Sequence, residues 1–177
     1  MTLAGRGDQA ACQILVERHL GRIVGFVRRS IDGGVAEAED LAQEVFLRVW
    51  AAAPRWKPEA RFTTWLYKVA VNLCIDFNAK RREIPGGAPE NIADLRDEPF
   101  TALQDRELAD HVRGAVAALP AAQRTAILLC HYQGLRNGDA ACAMGLTLEA
   151  LESLLARARR SINLRLRPIA RALLRNE

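Results

Sequence analysis

The chain is poor in aromatic residues, 6% of its 177 positions, and nowhere alternates Val, Ile, Thr and aromatics over the length of a strand. Strands therefore find little support. Ala, Leu and Arg dominate and half of all residues are apolar, which predicts an all-α chain that folds rather than a disordered one. No apolar run is long enough to cross a bilayer. The opening MTLAGRGDQAACQILVERHL also lacks a cationic segment followed by an apolar stretch and a small-residue cleavage site. The expectation is a cytoplasmic chain with no membrane insertion.

Other absences narrow the chemistry. Cys12, Cys74, Cys130 and Cys142 are widely separated and contain no C-x-x-C pair, so they read as reduced thiols serving as small apolar residues. Cys130 and His131 are neighbours in sequence, but adjacent side chains on a helix point in different directions, which argues against a shared metal. There is no Gly-rich phosphate loop, paired-carboxylate site, Ser-His-Asp arrangement or metal-spaced His cluster. No catalysis, metal or cofactor is expected, and His19, His111 and His131 read as ordinary surface or core residues.

The charge that is present is unevenly spread. The formal net charge is +4, yet after Thr147 the chain carries Arg157, Arg159, Arg160, Arg165, Arg167, Arg171 and Arg175 against Glu149, Glu152 and Glu177. A basic end suits an acidic polymer.

Apolar residues recur at helical spacing in three segments from Asp8 to about Lys80, broken at Asp32-Gly33-Gly34 and between Pro54 and Pro58. The stretch REIPGGAPENIADLRDEPFT then has no apolar stripe to offset its ordering entropy and predicts a flexible linker. From Leu103 the helical pattern returns in four segments, interrupted at Pro120, Gly134 and Gly145. The predicted organisation is a three-helix block over 1–83, a linker over 84–102 and a four-helix block over 103–177. Domains below about 80 residues are only marginally stable alone, so a partner is expected to help hold them.

In VAEAEDLAQEVFLRVWAAA, Ala38, Leu41, Val45, Val49 and Ala52 share one stripe that packs the first block. The opposite side sets Leu47 among Asp40 and Gln43, with Trp50 close by and Phe46 on the flank, a surface suited to another protein. Taken alone, Trp50 and Phe46 are equally compatible with a wider core stripe.

In FTTWLYKVAVNLCIDFNAKRR, Phe62, Trp65, Leu66, Val69 and Leu73 form the buried stripe, with Asn72 and Asp76 on its flank. The other side displays Thr64, Tyr67, Val71, Asn78 and Arg82, with Lys68 and Arg81 nearby. Cations neutralise phosphates, amides read base edges, and the loop PRWKPEAR ahead of the helix could receive an unstacked base. A solvated polar face whose terminal cations complement the helix dipole also fits.

Near the end, a short helix around Asp139 to Met144, Gly145 in a turn and Thr147 as N-cap have the layout of a helix-turn-helix. Leu148, Leu151, Leu155, Ala158 and Ile162 form the apolar stripe of the last helix, which turns Glu149, Glu152, Ser153, Ala156 and Arg160 outward with Arg157 at the margin. Glu149 and Glu152 fit either the positive end of the helix dipole or a cytosine contact.

The runs AEDLAQEVFLRVW, FTTWLYKVAVNLCIDFNAKRR, LPAAQRTAILLCHYQGL and LLARARR together resemble sigma factors of the extracytoplasmic-function (ECF) subgroup, over nearly the whole chain outside the linker. The resemblance implies a sigma-two domain and a sigma-four domain, with bacterial core RNA polymerase and promoter DNA as partners. It implies that Asp40, Gln43, Glu44, Phe46 and Leu47, with Trp50 beside them, dock on the clamp helices of the β′ subunit. Arg55, Trp56, Lys57, Arg61, Thr64, Tyr67 and Lys68 match the part that melts the minus-ten element, and Asn78, Arg81 and Arg82 the stretch that recognises it. Arg136, Thr147, Glu149, Glu152, Ser153, Arg157, Arg159 and Arg160 fall in the element that reads the minus-thirty-five region, while Leu119 to Gln133 corresponds to a segment that meets the β flap.

An anti-sigma protein is a further implied partner. The chain departs from the commonest family pattern at Glu152 and Leu154, where Lys and Arg are usual, and at Arg136-Asn137-Gly138, where a Ser-Tyr-acidic run is usual, which puts its promoter preference in question. Two other functions fit parts of the pattern: a stand-alone helix-turn-helix regulator, which would not need the Asp40, Gln43, Leu47, Trp50 face, and a sigma mimic that sequesters an anti-sigma factor.

Overall fold

The computed structural model describes residues 1–57, 61–83 and 103–173, and the predicted linker lies outside them. Among the described residues there are seven α-helices and no strand. The first, α1 (Gln9–Ser30), begins where Asp8 accepts a hydrogen bond from the Ala11 amide at 3.0 Å, a side-chain N-cap for one of the orphan amides of the first turn. A short 3-10 turn, Ala4–Arg6, precedes it and lies against a second one, Ala53–Arg55. The approach is close enough that a Cβ on Gly5 would overlap the Ala53 carbonyl.

Helix α2 (Val35–Ala52) starts at Gly34, whose amide donates to the Glu37 carboxylate at 3.0 Å; glycine has no side chain to reciprocate, so this is half of a capping box. Helix α3 (Phe62–Glu83) completes the first block, and Lys80, Arg81 and Arg82 occupy its last turn, where cations complement the helix dipole.

The second block holds α4 (Leu103–Ala117), α5 (Ala121–Ile127), α6 (Asn137–Met144) and α7 (Leu148–Leu173). After Ile127 the chain continues as one wider π turn, Leu128–Tyr132, so the single helix expected up to Gln133 is two geometries in series. Gly145, at φ +66°, turns α6 into α7, and the Thr147 hydroxyl accepts from the Ala150 amide at 3.2 Å, the predicted N-cap.

The cores of the two blocks are continuous. Ile23, Phe26 and Val27 of α1, Val45 and Val49 of α2 and Leu66 of α3 belong to the same apolar cluster as Leu128, Leu129, Leu151 and Leu155. Helix α6 lies along α3, and α5 with its π turn touches α1. This packing corrects the expected one-sided α3. Its second face is covered: Thr64, Tyr67, Val71 and Asn78, expected on display, are all buried. Asn72 and Asp76, expected beside the buried stripe, are exposed. A helical wheel separates two faces but carries no information on a second neighbour from a distant stretch of chain.

Candidate polymerase and nucleic-acid interfaces

On α2 the packed side is consumed by Ala38, Ala42, Val45 and Val49, all fully buried, because each falls on the side toward α1 and α3. The outer side keeps Asp40 and Gln43 exposed and leaves Leu47 61% exposed, far more than a core leucine tolerates. Glu44 is bound sideways by Arg48 at 2.8 Å. Phe46 is only 6% exposed and turns into the core, with the half-buried Trp50 tilted against it at 6.1 Å between ring centroids. The wider-core reading therefore describes Phe46, while Leu47 stands out with its two polar neighbours.

At the end of α2 the chain turns through Arg55, Trp56 and Lys57 into α3, and an open cavity of about 760 Å³ lies between the two helices. Arg48, Arg55, Lys57 and Lys68 supply its positive charge, Trp56 and Trp65 its flat apolar walls, and Cys142 of α6 one edge. Cations beside indole faces can hold phosphate and base together. The sequence pattern does not single out Arg48 or Trp65 for this site. It puts Trp65 in the core stripe, and the residue is half-buried, with part of its surface lining the cavity. Arg61 and Arg82 are exposed nearby in sequence, and Arg81 is half-buried with its guanidinium 3.9 Å from the Glu37 carboxylate.

Three residues of the expected DNA face make protein contacts instead. Thr64 donates to the Asp139 carboxylate at 3.0 Å, and the Tyr67 hydroxyl donates to Gln133 Oε1 at 2.6 Å. Burial pushes the Tyr67 phenol up to about 12, against a smaller lowering by Arg22. Asn78 accepts from the Asp32 amide and donates to the Ser30 carbonyl, each at 2.9 Å, and so ties α3 to the loop between α1 and α2.

In the helix-turn-helix, Leu151, Leu155 and Ala158 are buried on the inner stripe and Ile162 is half-buried against the core, while Leu148, expected to join them, is 44% exposed. Glu149, Glu152, Ser153, Arg157, Arg159 and Arg160 all face solvent, with Arg136 and Thr147 exposed ahead of them. Hydrogen bonds from its own backbone amide and from Thr147 hold Glu149 below the usual carboxylate range, so this acid engages the helix start. Arg157 reaches back to the Ser153 carbonyl at 3.3 Å. Among the described residues no cluster of His, Cys, Asp and Glu could hold a metal ion, and no helix is long and apolar enough to cross a membrane.

Two compact helical blocks, one carrying a helix-turn-helix and the other a basic, tryptophan-lined cavity, define a nucleic-acid-binding architecture. The profile of Sigma-70 region 2 matches residues 15–84 and that of Sigma-70 region 4 matches residues 110–162. The chain is 29% identical to the RNA polymerase sigma-H factor of Pseudomonas aeruginosa, over 94% of this chain and 91% of that protein. It is 31% identical to the ECF RNA polymerase sigma factor SigE of Mycolicibacterium smegmatis, over 88% of this chain and 63% of that protein. Its fold also matches the sigma factor RpoE of Bartonella quintana, solved with the anti-sigma factor NepR, at a TM-score of 0.70 and 24% identity, covering 88% of this chain and 96% of that one. The protein belongs to the sigma-70 family and is a sigma factor of the ECF subgroup. Members of this family regulate transcription rather than catalyse a reaction.

Proposed function

We propose that this chain docks on the β′ clamp helices of core RNA polymerase through Asp40, Gln43 and Leu47, and directs initiation at promoters of a stress or envelope-response set of genes. The loop from Arg55 to Arg61, with Lys68, then melts the minus-ten element and takes a flipped base. The outer side of α7 meets the minus-thirty-five region from the major groove, with Arg157, Arg159 and Arg160 as its cations. Such a role places the chain in the cytoplasm, and an anti-sigma factor is its proposed antagonist.

The observation that carries this reading is the pairing, on one helix and its exit, of an exposed leucine among polar side chains with the cation- and tryptophan-lined cavity. A protein-binding strip next to an open, positively charged recess of about 760 Å³ serves a subunit that must hold polymerase and DNA at once. The test is equilibrium binding to purified bacterial core polymerase. Replacing Gln43 and Leu47 together by Ala is expected to weaken that binding at least tenfold, about 1.4 kcal/mol, with helicity retained. Unchanged affinity would reject this docking face.

A further inference from the structure

The recess between α2 and α3 holds more positive charge than its surroundings balance. Arg48, Ala51 and Ala52 line it from α2, and Arg55 follows from the 3-10 turn at the end of that helix. The two alanines add little bulk, so the space between the arginines stays open. Lys57 comes next to Trp56 in the chain, and Lys68 stands one turn along α3 from Trp65, which sets each ammonium near an indole. Among the described residues no carboxylate lines the recess. Glu44, outside the lining, engages Arg48 at 2.8 Å, whereas Arg55, Lys57 and Lys68 are exposed and have no acidic partner among the described residues. Trp65 is packed in part against the core, so its remaining surface is held in place at the wall of the recess.

We propose that this recess is also a site for a free nucleoside polyphosphate, with its base against the indoles and its phosphate chain on Arg55, Lys57 and Lys68. A DNA strand spreads its charge along the backbone, about one phosphate per nucleotide, so a single flipped base leaves most of these cations unmatched. A nucleoside polyphosphate delivers the same ring with several charges at one end. Indole faces accept any base, because every base has a π-face, and cations beside them add to the attraction. The volume of about 760 Å³ lies within the range of roughly 300 to 1,000 Å³ usual for small-molecule sites. The site itself stands on this lining. Its consequence rests on the reading of the recess as the place where the minus-ten base enters: a soluble nucleotide competes with the promoter strand there.

The test uses the full-length chain with ATP as the probe, and inorganic triphosphate and adenosine as its two halves. Binding is read by quenching of tryptophan fluorescence and by equilibrium dialysis. ATP is expected to bind saturably and each half at least several-fold more weakly. Trp56→Ala is expected to weaken ATP binding by roughly fivefold or more, the loss of one stacked base, and Trp56→Phe to retain most of it. Lys57→Ala/Lys68→Ala is expected to weaken ATP binding and flatten its salt dependence, and both side chains of that pair are exposed, so helicity should not change. Inorganic triphosphate that binds as tightly as ATP overturns the proposal, because charge alone then accounts for the binding. ATP affinity unchanged in both the Trp56→Ala and the Lys57→Ala/Lys68→Ala chains overturns it as well. A fluorescent, random-sequence single-stranded 20-mer separates this site from the minus-ten reading. If the lysine pair weakens binding of the oligonucleotide while ATP never binds, the nucleotide site fails and the minus-ten assignment stands. If the pair weakens binding of ATP but not of the oligonucleotide, and ATP does not displace the oligonucleotide, the nucleotide site is supported and the minus-ten assignment fails.

Discussion

Asn78 uses both halves of its amide on backbone, its oxygen on the Asp32 amide and its nitrogen on the Ser30 carbonyl, and at 7% exposure no water replaces either bond. Replacing it by Ala leaves a buried donor and a buried acceptor without partners, at a cost of about 2 kcal/mol. Thermal melting of Asn78→Ala should show a midpoint lowered by several degrees, and an unchanged midpoint would contradict the strut role. Sequence reasoning puts Asn78 on a DNA face because amides read bases; nothing local marks an asparagine whose partners lie 46 and 48 positions away.

Tyr67 and Cys74 give the residue scale a pH signature. Burial pushes the phenol of Tyr67 and the thiol of Cys74 each up to about 12. Both native groups hold their protons where the unfolded chain has released them, so their contribution is complete below the unfolded values of about 10 and about 8.5 and is lost as pH rises toward 12. Denaturant midpoints should therefore fall between about pH 9 and pH 12, and Tyr67→Phe should flatten the upper part of that fall. A midpoint constant over this range would mean the two side chains are not buried in solution.

At the scale of the element, the helices themselves were legible. The breaks at Asp32-Gly33-Gly34, at Pro54, at Pro120 and at Gly145 all separate observed helices, because chain punctuation is written in local backbone preference. The outward residues of α7 were legible for the same reason, since Leu151, Leu155 and Ala158 fix which way the helix rolls. Helix α3 was half legible. Leu66 and Leu73 of its expected stripe are buried while Phe62, Trp65 and Val69 are only half-buried, and the face bearing Thr64 and Tyr67 is closed by α6 and the turn before it, from segments more than sixty residues away that no periodicity encodes.

The exposed cations of α7 carry a prediction at this scale. Removing one cation that neutralises a phosphate lowers the slope of log affinity against log salt by about 0.9 for duplex DNA. Replacement of Arg157 and Arg160 together by Ala should weaken duplex binding and flatten that slope by about 1.8. An unaltered slope would mean that this side of α7 does not face the phosphates.

For the whole molecule, the closed packing of the two blocks explains how small bundles can share one core. Neither has enough interior to be stable by a wide margin, and Phe26 with Leu66 on one side and Leu128 with Leu155 on the other lie in one cluster. The same packing joins stability to access, because what steadies the free chain also covers Tyr67. The strip at Leu47 remains outside this packing, so the proposed polymerase contact does not require the two blocks to part.

The central claim is that this chain lends core polymerase a promoter, and mapping transcript starts measures it most directly. Purified core enzyme is supplied with a library of genomic fragments, with and without the chain, and the 5′ ends of the products are sequenced. We expect a discrete set of start sites that appear only with the chain and vanish with the Gln43→Ala/Leu47→Ala variant. Starts that are the same with and without the chain would contradict the account.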